Sequence, residues 1–168
     1  MKNKAISLCG RMLLMTAVVS AAFLLLSDRV DAATKIKINK TNFPDATFRA
    51  YVSSNFDADK DGYLNSTEIG NVKIINVDES GITKLNGIEY FTALETLYCR
   101  DNELTSLDVS KNTSLEKIIC YRTQLTTLDV SKNTALIYLD CSRNQLKTLD
   151  VSKNTSLVTI SALSSNNT

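Results

Sequence analysis

The sequence predicts an α+β protein in which a short N-terminal helical cap is followed by a solenoid of parallel strands. Apolar residues recur with a 21-residue period in the C-terminal half, and apolar residues at helical spacing precede an acidic loop over residues 57–68. A repeat unit of this size cannot bury its own apolar side, but stacked units bury it against each other. We therefore predict a cap over residues 33–71 and a solenoid over residues 72–168, most regular from residue 94.

The 21-residue repeat contains the same half-pattern twice. In the first half, Leu94, Leu97 and Cys99 are followed by Asn102, and the pattern then returns and ends at Asn112. The last two apolar positions of each half are two residues apart, as on one face of a strand. Residues 94–168 contain no glycine or proline. We therefore expect asparagine to supply the left-handed turn and its amide to bond the neighbouring coil.

The repeat extends towards the N-terminus with lower fidelity. Val72, Ile75 and Val77 occupy the apolar positions, and Ser80 stands where the later units have asparagine. The pattern is then interrupted at Asn86-Gly87. Parallel strands are therefore expected from residue 72 onward.

Residues 1–32 read as a secretory signal peptide. Lys2 and Lys4 precede an apolar run over residues 12–26, and Val30 and Ala32 stand at the −3 and −1 positions of a cleavage site. The alternative is a retained membrane anchor, but a span needs about 20 apolar residues. We predict cleavage after Ala32 and a secreted or cell-surface location.

Charge and composition exclude several classes of function. The signal segment carries four basic and two acidic side chains, so cleavage changes the formal net charge from +1 to −1. This balance argues against nucleic acid or an anionic membrane as partner, and no second apolar stretch could span a bilayer. Histidine is absent, which removes the commonest general base and zinc ligand. We predict that the chain is not an enzyme.

Three cysteines remain after cleavage, and they share the 21-residue period. Cys99, Cys120 and Cys141 fall at an inward apolar position of each unit. Small buried thiols are the favoured interpretation, and a disulfide or a metal site is the alternative.

The acidic loop carries the pattern of an EF-hand. Ca²⁺ prefers six to eight oxygen ligands, and such a loop supplies them at fixed positions around a glycine that makes the sharp turn. Gly62 stands at that glycine position, and Leu64 takes the apolar position 8. We predict Ca²⁺ as the cofactor, held by oxygens of Asp57, Asp59, Asp61, Tyr63 (main-chain carbonyl), Asn65 and Glu68.

The flanking residues support a helix on each side of this loop. Phe48, Tyr51, Val52 and Phe56 form an apolar stripe at helical spacing, entered through residues 42–45 with proline in the first turn. A short second helix is expected from about Thr67. No second calcium loop is found to shield Leu64, so the site should be weak, roughly 10⁻⁴ to 10⁻³ M.

Residues 55–72 resemble calmodulin-type EF-hands. The nested halves resemble the 21-residue IRREKO type of bacterial leucine-rich repeat, and residues 82–94 are similar to an internalin repeat. Internalins also carry a helical, EF-hand-like cap before their repeats. Together these resemblances imply a surface or secreted protein that recognises a host or cell-wall partner.

Two outward stripes differ in their variability. The uniform stripe repeats with little change and suggests a scaffold role: Ser106, Asp108, Ser110, Thr127, Asp129, Ser131, Thr148, Asp150 and Ser152. The other stripe varies between units, and we call its predicted ligand-binding residues the variable face: Tyr98, Arg100, Lys117, Ile119, Tyr121, Tyr138 and Asp140.

We predict a monomer that binds an unknown protein or a surface glycan through the variable face. Two alternatives remain open. The variable stripe has simply drifted, or the chain is a calcium-stabilised scaffold or dockerin-like assembly module with no ligand of its own. The aspartates of the uniform stripe are expected to form a solvated face balanced by neighbouring lysines, with a metal-binding comb as the less favoured interpretation.

Overall fold

The computed structural model describes residues 35–162. The predicted signal peptide and its cleavage site, together with residues 163–168, lie outside the described residues. Among the residues described, no helix combines the length and the apolar character needed to cross a membrane.

The N-terminal region, residues 36–71, consists of two short helices joined by the acidic loop; we call it the cap. Helix α1 forms where the apolar stripe predicted it, with Phe48 and Val52 buried. Asp45 caps α1 by accepting a hydrogen bond from the Phe48 N–H at 3.0 Å, so the proline at position 44 precedes the helix and is not in its first turn. The elements are β1 (Ile36–Lys37), α1 (Ala46–Phe56), β2 (Tyr63–Leu64) and α2 (Ser66–Asn71).

The remaining described strands form one parallel five-stranded sheet in chain order. Successive strands from β4 onward keep the spacing of the sequence repeat, so that Leu97 lies opposite Ile118 and Ile118 opposite Leu139. The first spacing is longer by one position, because Ile75 lies opposite Leu97. The predicted parallel solenoid is thus confirmed, with a slightly longer first coil. The strands are β3 (Ile74–Asn76), β4 (Thr96–Tyr98), β5 (Lys117–Ile119), β6 (Tyr138–Asp140) and β7 (Thr159–Ser161).

Only the first half of each repeat forms a strand. The second half, for example residues 104–109, forms no strand, although Leu104, Leu107 and Val109 are buried. The two-residue spacing of apolar side chains therefore predicted correctly which side chains point inward. The strand that this spacing indicates is found only in the first half of the repeat.

Buried asparagine side chains hold successive coils together. The Asn133 Nδ2 donates to the carbonyls of Val109 and Asn112 at 3.0 and 2.8 Å. Asn112 and Asn154 bond the preceding coil in the same way. In this orientation the three Oδ1 atoms have no hydrogen-bond donor among the described residues. The amide pairing predicted from the sequence is therefore present.

The left-handed turn residue is not the asparagine that the sequence predicted. The positive φ angle falls on the residue just before the asparagine position that ends the first half of the repeat. These residues are Asp101, Arg122 and Arg143, with φ of 52°, 56° and 52°. The following residue is Asn102, Thr123 or Asn144, whose buried side chain bonds the turn. The amide thus stabilises the turn while its neighbour takes the strained backbone geometry.

An aromatic cluster joins the cap to the first coil. The Phe43 ring lies 5.7 Å from Tyr90 and 6.4 Å from Phe91, measured between centroids. The Phe56 ring lies 5.3 Å from that of Phe91. Aromatic pairs at such separations add about 0.5–1.5 kcal/mol each to the burial of their area. The cap therefore covers the apolar end of the solenoid.

Polar contacts fix the orientation of this junction. The Asp45 Oδ2 accepts hydrogen bonds from the Thr83 N–H and hydroxyl, both at 3.0 Å. The Tyr51 hydroxyl accepts the Asn76 N–H at 3.1 Å. These bonds tie the start and the middle of α1 to the first coil, so the helix is held in rotation as well as in position.

Gly87 is required where the first coil meets the cap. Its φ is +104°, and a Cβ there would overlap the Phe43 ring and lie 2.7 Å from the Asn42 carbonyl oxygen. We expect Gly87→Ala to lower the free energy of unfolding by about 2–4 kcal/mol, because it adds this overlap to the cost of a left-handed alanine. Urea denaturation measures the change.

Two glycines serve as matched controls. Gly81 also has a positive φ, +66°, but a Cβ there meets nothing within 4 Å, and Gly70 has open space without that φ. Gly81→Ala should cost about 1–2 kcal/mol and Gly70→Ala should be neutral or slightly stabilising. Equal losses for Gly87→Ala and Gly81→Ala would show that Phe43 does not pack against Gly87.

Candidate calcium loop and variable face

The acidic loop begins where α1 ends. Asp57 follows the last residue of α1 and is 6% exposed. Its carboxylate accepts the N–H groups of Asp61 and Gly62, each at 3.1 Å. Lys60 and Gly62 have positive φ angles of 58° and 81°, which bend the chain back on itself. Asp57, the first aspartate, thus stabilises the loop by bonding its main-chain N–H groups.

Three of the predicted ligands converge. One carboxylate oxygen from each of Asp57, Asp59 and Asp61 lies within 4.8 Å of the others, and within the described part of the chain this is the only such group of three acidic or metal-binding side chains. The Asp59 and Asp61 carboxylates also accept the N–H groups of Asp61 and Tyr63, at 3.2 and 2.8 Å. Like charges this close repel unless a cation lies between them.

The other two predicted side-chain ligands cap α2. The Asn65 Oδ1 accepts the N–H groups of Thr67 and Glu68, both at 2.9 Å. The Glu68 carboxylate accepts the Asn65 N–H at 2.9 Å and, across the loop, the Ala58 N–H at 2.8 Å. Glu68 therefore joins the two ends of the loop but is not part of the three-aspartate group.

The loop has a partner strand that the sequence analysis missed. Strand β1 pairs antiparallel with β2, and Ile36 lies opposite Leu64. Leu64 is fully buried, although no second calcium loop covers it within the described residues. Such a short strand cannot produce a periodic pattern, so the sequence held no signal for it.

The donor set suits a hard cation. The loop offers carboxylate oxygens from three aspartates, with the Glu68 carboxylate at its edge and the Tyr63 main-chain carbonyl on the same turn. Oxygen donors of this kind are those that Ca²⁺ prefers. The calcium site remains a prediction from the motif and the convergence of the aspartates.

The sheet register brings most of the variable face together. Lys117 and Tyr138 lie side by side in one column, and Tyr98, Ile119 and Asp140 form the next column. Arg100 and Tyr121 follow two positions after their strands. A depression on this surface is lined by Asp78, Tyr98, Arg100, Ile119, Tyr121 and Asp140.

Lys117 occupies the centre of this face between two tyrosines. Its Nζ lies 5.3 Å from the Tyr98 ring centroid and 5.0 Å from that of Tyr138. Each such contact contributes about 0.5–1 kcal/mol at an exposed site. Within the described residues no ion pair of Lys117 is found, so the two tyrosine rings are its recorded partners.

The residues around the depression include several that the sequence analysis did not select. The Arg100 guanidinium pairs with the Asp78 and Glu79 carboxylates at 2.9 and 3.0 Å. The Arg143 guanidinium lies 5.4 Å from the Tyr121 ring centroid. These partners lie one coil apart, and extending the repeat alignment to Asp78 and Glu79 would have revealed the first pair.

The uniform stripe behaves as a solvated face. The Asp108, Asp129 and Asp150 carboxylates each accept the N–H group of the serine two residues later, at 2.9, 2.8 and 2.8 Å. These hydrogen bonds, followed by the nearby lysine of the same unit, lower the pKa of each aspartate. The three aspartates do not form a close group of potential metal ligands. The structure therefore favours the balanced face over the metal comb.

The three cysteines form a buried column of free thiols. Cys99, Cys120 and Cys141 are at most 1% exposed and are not paired. Burial, with a smaller contribution from Asp140, raises the pKa of Cys141 to about 11. Burial also raises the pKa of Cys99 and Cys120. The interpretation as small apolar side chains is confirmed.

The solenoid is similar to internalins of Listeria monocytogenes. The functional domain of InlJ, whose structure is described as including a cysteine ladder, aligns with a TM-score of 0.68 at 34% identity over 75% of this chain. Internalin J of serotype 4b strain F2365 is 33% identical over 71 residues, or 42% of this chain. The described residues form a solenoid similar to the leucine-rich-repeat solenoids of internalins.

Two further internalins of strain 4b F2365 share the fold. The crystal structure of inlF aligns with a TM-score of 0.69 at 22% identity, and that of inlC2 with 0.64 at 17% identity, over 80% and 75% of this chain. The chain spans 28% of the InlJ domain and 8% of the curated Internalin J. No family model matches it.

The buried thiols give a test of the interior. We expect iodoacetamide at pH 8 to label none of the three cysteines in the folded chain and all three in urea, because the raised pKa keeps each thiol neutral and burial excludes the reagent. The folded state favours the neutral thiol, so this contribution to stability is complete below the ordinary pKa of 9.0 and is lost as the pH rises towards about 11 for Cys141. Mass spectrometry locates the label. Rapid labelling of the folded chain would show that the column is not buried.

Proposed function

We propose that the chain is a secreted or cell-surface leucine-rich-repeat protein that binds a protein or a surface glycan through its variable face, with Ca²⁺ held in the loop over residues 57–68. The observation that carries the binding proposal is the 21-residue register, which gathers three half-buried tyrosines and the Lys117 ammonium group on one face of the sheet. The similarity to internalins and the lack of histidine favour binding over catalysis.

The chemistry of the variable face supports recognition. Tyrosine offers a large contact area and a polar tip at low cost in conformational entropy, which is why it is enriched in binding surfaces. Tyr98 and Tyr121 line the same depression, and Tyr138 is linked to Tyr98 by their shared contact with Lys117. The uniform stripe lacks aromatic residues, so it offers little for selective binding.

The proposed calcium site stabilises the cap. A cation would remove the repulsion among the three aspartates and link the end of α1 to the start of α2 through Glu68. Glu68, whose carboxylate lies at the edge of the loop, would hold the ion with both of its oxygens. A single extracellular site of this type binds with a dissociation constant of roughly 10⁻⁴ to 10⁻³ M.

Calorimetry tests the calcium assignment. Titration of residues 33–168 should show one weak site, and Asp57→Ala or Glu68→Gln should abolish it, because each removes a charged oxygen from a site with little affinity to lose. Asp108→Asn is the matched control, since Asp108 lies outside the loop on the uniform stripe. Unchanged binding in both loop variants would contradict the assignment.

Alanine substitution tests the variable face. Against a ligand recovered from arrays of glycans, cell-wall material and extracellular proteins, Tyr98→Ala, Tyr121→Ala and Tyr138→Ala should each weaken binding by about 1–2 kcal/mol. Folding stability should fall by no more than about 1 kcal/mol, the value of the lost contacts with Lys117 or Arg143. Biolayer interferometry and urea denaturation give the two values.

The uniform stripe provides the controls for this experiment. Ser106→Ala and Thr127→Ala should change neither binding nor stability measurably. Loss of binding in these variants, with the tyrosine variants unaffected, would show that the uniform stripe is the binding surface. If no ligand is recovered with or without calcium, the result favours the passive scaffold or a dockerin-like module.

A further inference from the structure

The strand β1 pairs with the calcium loop at the place where the loop would otherwise present an open edge. Ile36 lies opposite Leu64 and Lys37 opposite Tyr63. The Ile38 N–H also donates to the Gly62 carbonyl at 2.9 Å. Three consecutive residues of this chain therefore follow the second half of the loop in antiparallel register.

The register of this pair determines where the main-chain groups of Tyr63 point. In an antiparallel ladder, hydrogen-bonded and non-hydrogen-bonded residue pairs alternate. Ile38 and Gly62 form a hydrogen-bonded pair, so Lys37 and Tyr63 form a non-hydrogen-bonded pair, and the N–H and carbonyl of Tyr63 are directed away from β1. The Tyr63 N–H indeed donates to the Asp61 carboxylate at 2.8 Å.

Strand β1 is itself fixed to the cap. The Lys37 carbonyl accepts the Asn42 side-chain amide at 2.8 Å. The Asn39 Oδ1 accepts the N–H groups of Thr41 and Asn42 at 2.9 and 3.0 Å. The turn that follows leads directly to Phe43 in the aromatic cluster. Ile36 packs against the same apolar core that contains Leu64. Both apolar packing and the hydrogen bonds of the following turn therefore hold β1 against β2.

We propose that residues 36–38 take the place of a second calcium loop and position the Tyr63 carbonyl for the ion, so that one chain forms a complete single site. This proposal rests on the proposed calcium function. It has three consequences: one Ca²⁺ per chain, binding without cooperativity, and no calcium-induced pairing of two chains through their loops. Calcium affinity should depend on β1, although none of its side chains is a ligand.

Two proline variants separate the ladder from general disturbance of the strand. Ile38→Pro removes the N–H that bonds Gly62. Lys37→Pro is the matched control, because the Lys37 N–H belongs to the non-hydrogen-bonded pair and points away from β2. Calorimetry on residues 33–168 should show calcium affinity about three- to tenfold weaker for Ile38→Pro, the value of one hydrogen bond. Lys37→Pro should stay within about twofold of the parent.

Hydrogen exchange without calcium gives a second readout. The Leu64 amide should be protected in the parent and in Lys37→Pro and should exchange faster in Ile38→Pro. Protection of the Ile118 and Leu139 amides in the sheet shows that each variant is folded. If Ile38→Pro fails that check, Ile36→Thr replaces it, because it keeps the main-chain ladder while reducing the apolar cover of Leu64. It too should weaken calcium binding.

The outcomes separate this proposal from the proposed function. A parent chain that binds no calcium overturns both. A parent that binds calcium, with folded Ile38→Pro or Ile36→Thr binding it equally well, overturns the role of β1 and leaves the calcium function intact. Cooperative binding, or a calcium-dependent dimer in sedimentation analysis, also overturns the role of β1, because the loop would then be pairing with another copy.

Discussion

Each coil of the solenoid buries main-chain carbonyl groups where the chain turns, and these carbonyls need hydrogen-bond donors. An unpaired buried carbonyl costs about 1–3 kcal/mol, so a stack of coils cannot exist without a repeating donor. The Asn112, Asn133 and Asn154 amides supply it, each donating to two carbonyls of the preceding coil or its turn. The 21-residue spacing of these asparagines fixes the strand register, and the register in turn creates the buried thiol column and the variable face.

A stack held in this way has two ends that lack a neighbour. The first coil is covered by the cap, where Phe43 and Phe56 pack against Phe91 and leave room only for Gly87 at the junction. Strand β7 lies at the other end of the described sheet, and its central residue Ile160 is 47% exposed. The cap therefore serves two purposes: it closes the apolar interior and it carries the acidic loop.

Structural features that follow a periodic pattern of residues were predictable from the sequence. Features that depend on a single contact in space were not. The 21-residue repeat predicted the parallel stack and the inward cysteines, and the helical stripe predicted α1. The left-handed residue was misplaced, since Asp101 takes that geometry because its neighbour Asn102 is held by three carbonyls. Strand β1 is too short to give a pattern. Convergence of the aspartates follows from the loop motif, but the bond that Glu68 makes across the loop depends on where the Ala58 N–H lies in space.

The asparagine column also has a direction. Within the described coils, the side-chain hydrogen bonds that these asparagines make to another coil all reach back to the coil before: Asn102, Asn112, Asn133, Asn144 and Asn154. Without the C-terminal coils, every remaining asparagine side-chain amide would still have its acceptors. Without the N-terminal coils, the asparagines of the new first coil would lose the carbonyls that accept their bonds. The stack is therefore directional: each later coil completes its asparagine side-chain bonds on the coil before it, and the cap lies at the end where this series begins.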